Sequence, residues 1–342
     1  MVKYVDVPRM AEWIASSGAE ARIAGIAAAI EHDFANWEAF DKQPRLATHT
    51  PDGVVELMPT SDGEHFAVKY VNGHPINPSR GLQTVVGFGV LSDLDTGYPL
   101  LISEMTLLTA LRTAATSAVV ARHLARTDAT RMALIGTGSQ SEFQSLGFRA
   151  LLGINQLALW DTDPAALDKA FANLTRLGFD VRIASSAADA VAGADIVTTC
   201  TADKALATVL TDDVVVPGMH INAIGGDCPG KTELDERILR RSSIFVEFEP
   251  QTRIEGEIQQ LAPDHPVTEM WRVIRREVPG RVSDDEITVF DSVGFAIEDF
   301  SALRYVYDTL LSERAETLDL LASPEDPKNL FSLVGAAVPA NA

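Results

Sequence analysis

The feature that most constrains the fold of this chain is a glycine-containing turn near its middle. Four apolar residues, Met132 to Ile135, precede Gly136 and Gly138, and a polar run then opens a segment with apolar residues at helical spacing. This order predicts a buried strand, a tight turn and a helix N-terminus. Gly136 permits the turn, Gly138 lets the backbone approach a pyrophosphate, and the N–H groups of the helix N-terminus favour an anion. The stretch is therefore predicted to bind a dinucleotide.

A carboxylate follows at the position that this interpretation requires. The apolar run Gln156 to Trp160 predicts the next strand, and Asp161 follows it, 25 residues after Gly136. An acid at the tip of that strand is placed to accept hydrogen bonds from an adenosine ribose and would repel a 2′-phosphate, which favours NAD over NADP. The alternative is an ordinary glycine-rich turn with a helix-capping Asp, and Ser141 stands where a third Gly or Ala is usual.

Length, charge and cysteine content exclude several classes of partner. Because 342 residues exceed the usual size of one core, we expect two domains. The chain has 28 Lys and Arg against 48 Asp and Glu and no basic run, so no nucleic-acid partner is expected. No apolar run could span a bilayer and no signal-peptide pattern is present, so we expect a cytoplasmic protein without membrane association. Cys200 and Cys228 form neither a metal-ligand spacing nor a disulfide framework.

The first third of the chain is predicted to be α+β. Residues 8 to 40 carry apolar residues at helical spacing and predict a helix. Short β-rich runs with turn dipeptides between or beside them then predict an antiparallel meander, with strands at 54–58, 66–71, 83–91 and 98–102. A long helix is predicted over residues 104–125.

Three charged side chains in this part have apolar or small neighbours. Strand alternation places Lys69 and Glu56 each on an otherwise apolar face, and Arg112 lies among small residues of the long helix. A buried charge needs a partner, so Lys69 and Glu56 are candidate ligands for a zwitterionic substrate, and Arg112 for a carboxylate or cofactor phosphate. The alternatives are that Lys69 and Glu56 are solvated or pair with each other, and that Arg112 forms an internal salt bridge.

The remainder predicts a doubly wound parallel sheet of the Rossmann type. Short apolar runs, mostly separated by helical stretches, occur at 132–135, 156–160, 180–183, 195–199, 219–223, 243–247 and 287–290. Ligands of such sheets lie at the carboxyl ends of the strands, which places Thr201, the 225–227 turn and residues 291–293 around the nicotinamide half of a cofactor. A last helix is predicted over 300–321, followed by a tail rich in Pro, Asp and Ala.

The turn after the fifth of these strands is predicted to carry the chemistry. Two glycines, Gly225 and Gly226, precede Asp227, and Pro-Gly follows one residue later. At the carboxyl end of a strand, Asp227 can take a proton from a substrate ammonium or give one to a leaving amine. The alternative is that Asp227 caps a helix beginning near Thr232, although Thr232 can do this itself. Cys228 has no His nearby in sequence and is expected to be a packed bystander.

Four stretches of this sequence resemble the ornithine cyclodeaminase/μ-crystallin family. They are residues 221–234, which contain Gly-Gly-Asp-Cys-Pro-Gly-Lys-Thr-Glu-Leu, and residues 66–75, 110–115 and 246–258. The resemblance extends from Asp6 to about Phe331. It implies a homodimer whose subunits have an α+β antiparallel-sheet domain for substrate binding and dimerisation, residues 1–126 with 300–342, and a Rossmann NAD-binding domain, residues 127–299.

The resemblance also implies residue roles. The substrate carboxylate would be held by three cations, Arg45, Lys69 and Arg112. Glu56 would position or activate the reacting amine or a water, Asp227 would be the acid/base, and Val293 would line the substrate pocket. The residues expected at the bound NAD are Thr84, Arg112, Gly136, Gly138, Ser139, Gln140, Asp161, Thr201, Ile224, Gly225, Gly226, Lys231 and Ser292.

The activity that follows from this resemblance is a redox-neutral conversion of L-ornithine to L-proline and ammonia. Hydride abstraction, ring closure by the δ-amine, loss of ammonia with a proton from Asp227 and re-reduction would leave NAD as it began, and holding the substrate folded would speed closure. The alternatives are a ketimine reductase, an amino-acid dehydrogenase, a lysine cyclodeaminase, or a catalytically silent protein in the manner of the crystallins. One methylene changes affinity by only about 1 to 3 kcal/mol, so the sequence does not select among diamino acids.

Overall fold

The computed structural model describes residues 1–201, 207–310 and 316–335. Up to residue 124 its helices and strands are β1 (Val2–Val5), α1 (Val7–Ser17), α2 (Ala19–Ala35), β2 (Leu46–Thr50), β3 (Gly53–Ser61), β4 (His65–Gly73), β5 (Gly87–Asp93), β6 (Pro99–Glu104) and α3 (Thr106–Leu124). Beyond it they are β7 (Arg131–Ile135), α4 (Ser141–Leu152), β8 (Gln156–Trp160), α5 (Pro164–Arg176), β9 (Asp180–Ile183), α6 (Ala187–Val191), β10 (Ile196–Thr199), β11 (His220–Ala223), α7 (Glu236–Arg240), β12 (Ser243–Val246), α8 (Glu249–Glu255), β13 (Thr268–Glu269), α9 (Met270–Ile274), β14 (Thr288–Asp291), α10 (Ala296–Leu310), β15 (Glu316–Leu318) and α11 (Ser332–Gly335).

The second group of strands forms the predicted parallel sheet. Its order is β13-β12-β14-β11-β10-β7-β8-β9, and every neighbouring pair is parallel. All seven predicted strands are present to within one residue at each end, and only the two-residue edge strand β13 was not predicted. The strand order reverses at β7, whose neighbours are β8 and β10. Ligands of doubly wound sheets bind in the crevice at such a switch point.

The first group forms a second sheet, which is mixed rather than wholly antiparallel. Its order is β15-β1-β6-β5-β4-β3-β2. The four meander strands are present, but residues 83–86, predicted as strand, precede β5 as a loop. Strand β1 was not predicted and pairs parallel with β6 and antiparallel with β15. Edge strand β2, also not predicted, lies on the exposed side of β3 and has no buried residue to reveal it in sequence.

Two helix predictions were wrong in their extent. The helix expected over residues 8–40 is two helices, because Gly18 adopts φ +85°, a left-handed conformation that ends α1. The helix expected over 300–321 begins earlier, as α10 at Ala296, and residues 316–318 form β15 instead. Residues 311–315 of that prediction, and residues 336–342 of the expected tail, lie outside the described residues.

Helices α2, α3 and α10 join the two sheets through one continuous core. Trp37 shows this most directly, because its ring contacts those of Phe34 in α2, Phe248 and Trp271 from the parallel-sheet part, and Phe295 before α10. Aromatic rings contribute large buried areas. The relative position of the sheets is therefore fixed by packing as well as by chain connection. No helix in the described part of the chain is both long and apolar enough to cross a membrane.

Close helix packing around Gly147 gives a test of this core. A Cβ at Gly147 of α4 would lie 2.7 Å from the carbonyl oxygen of Ala114 in α3. We expect Gly147→Val to lower the free energy of unfolding by about 2 kcal/mol, because the helices cannot separate without losing contacts. Ala150→Val, on the exposed face of α4, is the control for helix propensity. Equal denaturant midpoints for the two variants would contradict the packing argument.

Candidate active site

The glycine turn lies at the switch point of the parallel sheet, as predicted. Gly136 has φ +96°, and a Cβ there would lie 2.8 Å from the carbonyl group of Cys200, at the end of β10. Gly136 is therefore required both by conformation and by the adjacent strand. A Cβ at Gly138 would meet no atom within 4 Å, so the space above this residue is open to a ligand.

The residues around this turn are arranged for an anion and a ribose. The Asp161 carboxylate accepts hydrogen bonds from the Thr137 amide at 2.5 Å and hydroxyl at 2.9 Å, which fixes it beside the turn. Ser139 is exposed, and the buried Oε1 of Gln140 has no hydrogen-bond partner among the described residues. Ser141 is buried and donates to the Gly138 carbonyl at 2.8 Å, so a serine at the third fingerprint position supports the turn.

At the second glycine pair, Gly225 and Gly226, glycine is required for a different physical reason. A Cβ at Gly225 would lie 2.0 Å from a carboxylate oxygen of Glu233, and one at Gly226 would lie 2.7 Å from Oε1 of Glu257. Glu257 accepts hydrogen bonds from the backbone amides of Glu233 and Leu234 at 2.7 and 3.0 Å. The Gly225-Gly226 turn thus rests on two buried carboxyl groups. Ile224 leads into it, with its amide bonded to the Thr199 carbonyl at 3.0 Å.

Asp227 extends from this turn and is the exposed acid of the group, with 56% of its side chain accessible. Lys231 Nζ lies 3.4 Å from Asp227 Oδ1 and donates to the Thr201 carbonyl at 3.0 Å, while the Thr201 amide donates to Glu233 Oε1. The expected helix near Thr232 was wrong: α7 begins at Glu236 and Asp235 caps it. Asp227 therefore has no capping role.

Arg45 is held between the two sheets. Its guanidinium forms ion pairs at 3.1 Å with Glu56 of β3 and with Glu255 of α8. It also donates to the carbonyls of Val293 and Gly294, the latter at 2.7 Å. Glu56 is buried and forms an ion pair with Arg45. Both alternatives for Glu56, exposure to solvent and an ion pair with Lys69, were therefore wrong.

Lys69 and Arg112 share a carboxylate. Lys69 Nζ lies 2.8 Å from Asp299 Oδ1, and Arg112 Nε lies 2.9 Å from the same oxygen. Arg112 also donates to Glu298 at 2.7 Å. The internal salt bridge that was the alternative for Arg112 is therefore present, and Lys69 is buried rather than solvated. Because Gly294 has φ +76° and its Cβ would lie 2.8 Å from Arg112 Nη1, glycine is required beside this guanidinium.

The structure brings most of the predicted residues to one region, with one exception. Ser292 and Val293 follow β14, and the Ser292 hydroxyl donates to buried Glu247 at 2.5 Å. Thr84 lies in the loop before β5, where its carbonyl accepts from the His74 amide at 2.8 Å. The described contacts of Thr84 connect it to that loop and not to the glycine turn.

Several residues of this region were not predicted. They are the buried acids Glu233, Glu247, Glu255, Glu257, Glu298 and Asp299. Glu298 and Asp299 stand in an otherwise apolar run, Ala296 to Phe300, which is the same signal that singled out Arg112. Glu247 ends the predicted apolar run 243–247, whereas Glu233, Glu255 and Glu257 have no such pattern, since their burial depends on contacts between distant segments.

Burial shifts the pKa values of these groups. It raises the pKa of Glu255 and Asp291 to about 7 and the pKa of Glu257 and Glu298 to about 8. The positive charge of Arg45 partly opposes this rise at Glu255, and that of Arg112 partly opposes it at Glu298. Burial, together with the charge of Arg112, lowers the pKa of Lys69 to about 8. Burial also raises the pKa of the Cys200 thiol, so this cysteine is not a nucleophile at neutral pH.

The raised carboxyl pKa values predict how stability depends on pH. In the unfolded chain these groups titrate near pH 4, so their stabilising contribution is complete below that pH and is lost as pH rises through 7 to 8. We expect the free energy of unfolding of the ligand-free protein to fall between pH 6.5 and 8. Glu257→Gln should reduce this slope by up to about 1.4 kcal/mol per pH unit. Denaturant titrations in a pH series at constant ionic strength measure it, and stability that rises over this range would contradict the assignment.

The architecture defines an α/β protein with a Rossmann-like parallel sheet and a second sheet domain. Buried cations from β4, α3 and the segment before β2 lie beside the residues that follow β14 of the parallel sheet. The chain matches the Ornithine cyclodeaminase/mu-crystallin family model over residues 9–314. It belongs to this family, which confirms the resemblance found in the sequence.

Individual relatives agree with this membership. The chain is 59% identical to ornithine cyclodeaminase of Agrobacterium fabrum over 98% of this chain and 95% of the relative. Its structure is similar to that of a lysine cyclodeaminase described as recognising L-lysine, L-ornithine and L-2,4-diaminobutyric acid, with TM-score 0.90, 31% identity and coverage of 97% and 99%. It is also similar to an archaeal alanine dehydrogenase dimer with bound NAD, with TM-score 0.85, 29% identity and coverage of 94% and 99%.

Proposed function

We propose that this protein is an NAD-dependent ornithine cyclodeaminase, which converts L-ornithine to L-proline and ammonia. The observation that carries the proposal is the combination, in one region, of three buried cations with an exposed acid at the carboxyl end of β11. The cations suit a substrate carboxylate, and the acid suits proton transfer to a leaving amine. The near full-length similarity to an ornithine cyclodeaminase supports the same reaction.

The residues present fit NAD at the glycine turn. The open space above Gly138 and the exposed hydroxyl of Ser139 suit a pyrophosphate, whose oxygens accept hydrogen bonds, and Asp161 suits the adenosine ribose. The bound NAD of the archaeal alanine dehydrogenase supports this assignment. The residues assigned to the nicotinamide half are Arg112, Thr201, Ile224, Gly225, Gly226, Lys231 and Ser292, with Thr84 as a further contact. When bound, NAD+ supplies a hydride acceptor that is returned to its starting state by the end of the reaction.

The cation cluster has N–H groups left for a carboxylate. Each guanidinium has five N–H donors. Arg112 donates through Nη1 to Glu298, and its Nε lies against Asp299 as an ion pair without hydrogen-bond geometry, so Nη2 has no bond to a described residue and is left to face a ligand. After its hydrogen bond to Asp299, the ammonium group of Lys69 has two of its three N–H donors left for a ligand. We assign the substrate carboxylate to these groups and to Arg45, with Val293 at the pocket wall.

The charge balance of the cluster favours a diamino acid over alanine. Three cations, Arg45, Lys69 and Arg112, are accompanied by five carboxyls, Glu56, Glu247, Glu255, Glu298 and Asp299. The excess negative charge can be offset by protons or by ammonium groups of a ligand. L-ornithine carries one more ammonium than alanine, and that group suits Glu56 and Asp227. Glu56 would position the reacting amine or a water.

Asp227 is assigned to proton transfer through Oδ2, since Lys231 contacts Oδ1. In this role Oδ2 gives a proton to the leaving ammonia. The side chains that fix the carboxylate end of the substrate hold its δ-amine near the α-carbon, which makes five-membered ring closure an intramolecular step. Because the turn that carries Asp227 rests on Glu233 and Glu257, the position of the acid is fixed by the fold.

The experiment that tests the proposal measures ammonia release and NADH absorbance together. Purified protein with catalytic NAD and L-ornithine should release ammonia and proline without a lasting rise in NADH. Stoichiometric NADH would favour an amino-acid dehydrogenase, reduction of cyclic imines alone would favour a ketimine reductase, and faster reaction with L-lysine would favour a lysine cyclodeaminase. No reaction with any of these would favour a silent, crystallin-like binding protein.

Substitution of Asp227 tests its assigned role. We expect Asp227→Ala to reduce kcat at least 100-fold, as loss of a general acid does, while the dissociation constant for NAD changes less than threefold. Asp264→Ala, on the loop after α8, is the control for loss of an exposed acid. Turnover by Asp227→Ala close to that of the unmodified protein would remove Asp227 from the mechanism.

We further propose that the chain forms a homodimer through the outer face of its mixed sheet. Leu46, Leu57, Tyr70 and Phe88 lie in register across strands β2 to β5, and three of them are 43 to 59% exposed. A continuous exposed apolar row of this kind is typical of an interface. The domain division proposed with it is residues 1–126 with 300–342 for substrate binding and dimerisation, and 127–299 for NAD.

Charged substitutions on this row test the dimer. We expect Leu57→Glu with Phe88→Glu to convert a particle of twice 36.8 kDa into a monomer, because paired carboxylates cannot be buried in an apolar interface. Multi-angle light scattering measures the mass. Leu177→Glu, at a side chain 42% exposed on the parallel-sheet part, is the control. A monomeric unmodified protein, or a dimer that survives both substitutions, would contradict this interface.

A further inference from the structure

Helix α8 has two faces with different contacts. Glu249 and Arg253 form an ion pair at 2.9 Å on the outer face. Gln251 and Glu255 are four residues apart, lie on the opposite face and are both buried. Glu255 pairs with Arg45 Nε at 3.1 Å, and Gln251 Oε1 accepts from the Arg45 backbone amide at 3.1 Å. The buried face of α8 thus contacts Arg45 through both Gln251 and Glu255.

The contacts of Arg45 determine its orientation almost completely. Nε faces Glu255, one N–H of Nη1 donates to Glu56, and Nη2 donates to two backbone carbonyls. Three of the five N–H donors are hydrogen-bonded to described residues, Nε–H lies against Glu255 as an ion pair without hydrogen-bond geometry, and the second N–H of Nη1 is left for a ligand. Arg45 therefore offers a single directed hydrogen bond, whose direction depends on the groups that hold the other nitrogens.

Those groups come from both parts of the molecule. Glu56 belongs to the mixed sheet, whereas Glu255 and Gln251 belong to the parallel-sheet part. Gln251 also donates through Nε2 to the Gly294 carbonyl at 2.8 Å, and the same carbonyl accepts from Arg45 Nη2. The side chains of α8 therefore bind Arg45 and the backbone acceptor that Arg45 uses.

We propose that Glu255, supported by Gln251, is a positioning residue for substrate recognition, which holds Arg45 so that its remaining N–H meets the carboxylate of an amino-acid substrate. This inference rests on the proposed function only in assigning the substrate carboxylate to Arg45. Glu255 itself does not contact the reacting atoms. It acts through the orientation and the charge balance of Arg45.

Glu255 needs its charge for this role, and its surroundings make that charge sensitive to pH. The charged groups that face it are Arg45, Glu56 and Asp227. Burial and the two acids raise the pKa of Glu255 to about 7, while Arg45 opposes the shift. Protonation below pH 7 removes the ion pair to Nε, so substrate affinity should fall as pH is lowered through 7.

Glu255→Gln tests the proposal in the full-length protein with NAD. We expect the KM for L-ornithine and the dissociation constant for L-proline, measured by calorimetry, to rise roughly tenfold, with kcat and NAD affinity changed less than twofold. Gln251→Met should act in the same direction, because it removes both Gln251 hydrogen bonds and keeps Glu255. Glu249→Gln, on the outer face of α8, should leave all four constants unchanged.

The pH profile separates positioning from general damage. In the unmodified protein KM should rise between pH 7.5 and 6, and in Glu255→Gln it should be high and lack this rise. The other buried groups with pKa values of about 7 to 8, which are Lys69, Glu257, Asp291 and Glu298, are present in both proteins, so the comparison isolates the contribution of Glu255. Unchanged KM, an unchanged pH profile, or a parallel loss of kcat, NAD affinity and melting temperature would overturn the proposal.

The proline-binding measurement keeps this inference separate from the proposed reaction. If the unmodified protein binds L-proline or L-ornithine without turnover, the proposed function fails and the effect of Glu255→Gln on binding still decides the inference. If it binds neither amino acid, both fail.

Discussion

The rest of the structure depends on the burial of three cations, Arg45, Lys69 and Arg112, between two sheets. A buried charge is costly unless it is paired, and the fold supplies the partners from distant parts of the chain: Glu56 from the mixed sheet, Glu255 from α8, and Glu298 and Asp299 from α10. Removing one charged side chain of this cluster would leave the charge of its partner buried without an opposite charge. The cluster therefore specifies how the two sheets meet, and it places the cations at the ligand-binding edge of the parallel sheet.

The two glycine pairs of the sequence are required for different reasons. At the first, Gly136 provides a left-handed conformation against β10, and Gly138 leaves open space. At the second, Gly225 and Gly226 have no room for a side chain because Glu233 and Glu257 lie beneath them. The first pair makes a ligand site directly. The second pair packs against buried carboxyl groups in the turn that carries Asp227. Its glycines are therefore explained by packing as well as by the chemistry of Asp227.

The sequence predicted those features whose signal is local. The parallel strands, the turn at Gly136 and the buried position of Arg112 follow from periodicity and turn residues, whereas for Lys69 and Glu56 the pattern left burial and solvent exposure as alternatives. Strands β1 and β15 were missed because they are short and pair with partners far away in sequence. Glu255 was missed for a similar reason, since nothing within α8 distinguishes it from Glu249, whose side chain is only partly buried. The assigned roles of the site residues remain predictions, and Thr84 has no described contact that links it to the glycine turn.

In the proposed reaction, hydrogen leaves and returns to the same carbon of one bound substrate. The most direct test supplies L-ornithine deuterated at Cα with catalytic NAD and analyses the L-proline by mass spectrometry and NMR. We expect proline that keeps its deuterium at Cα through many turnovers, with no deuterated NADH accumulating. Proline with protium at Cα, or deuterium collected in free NADH, would contradict it.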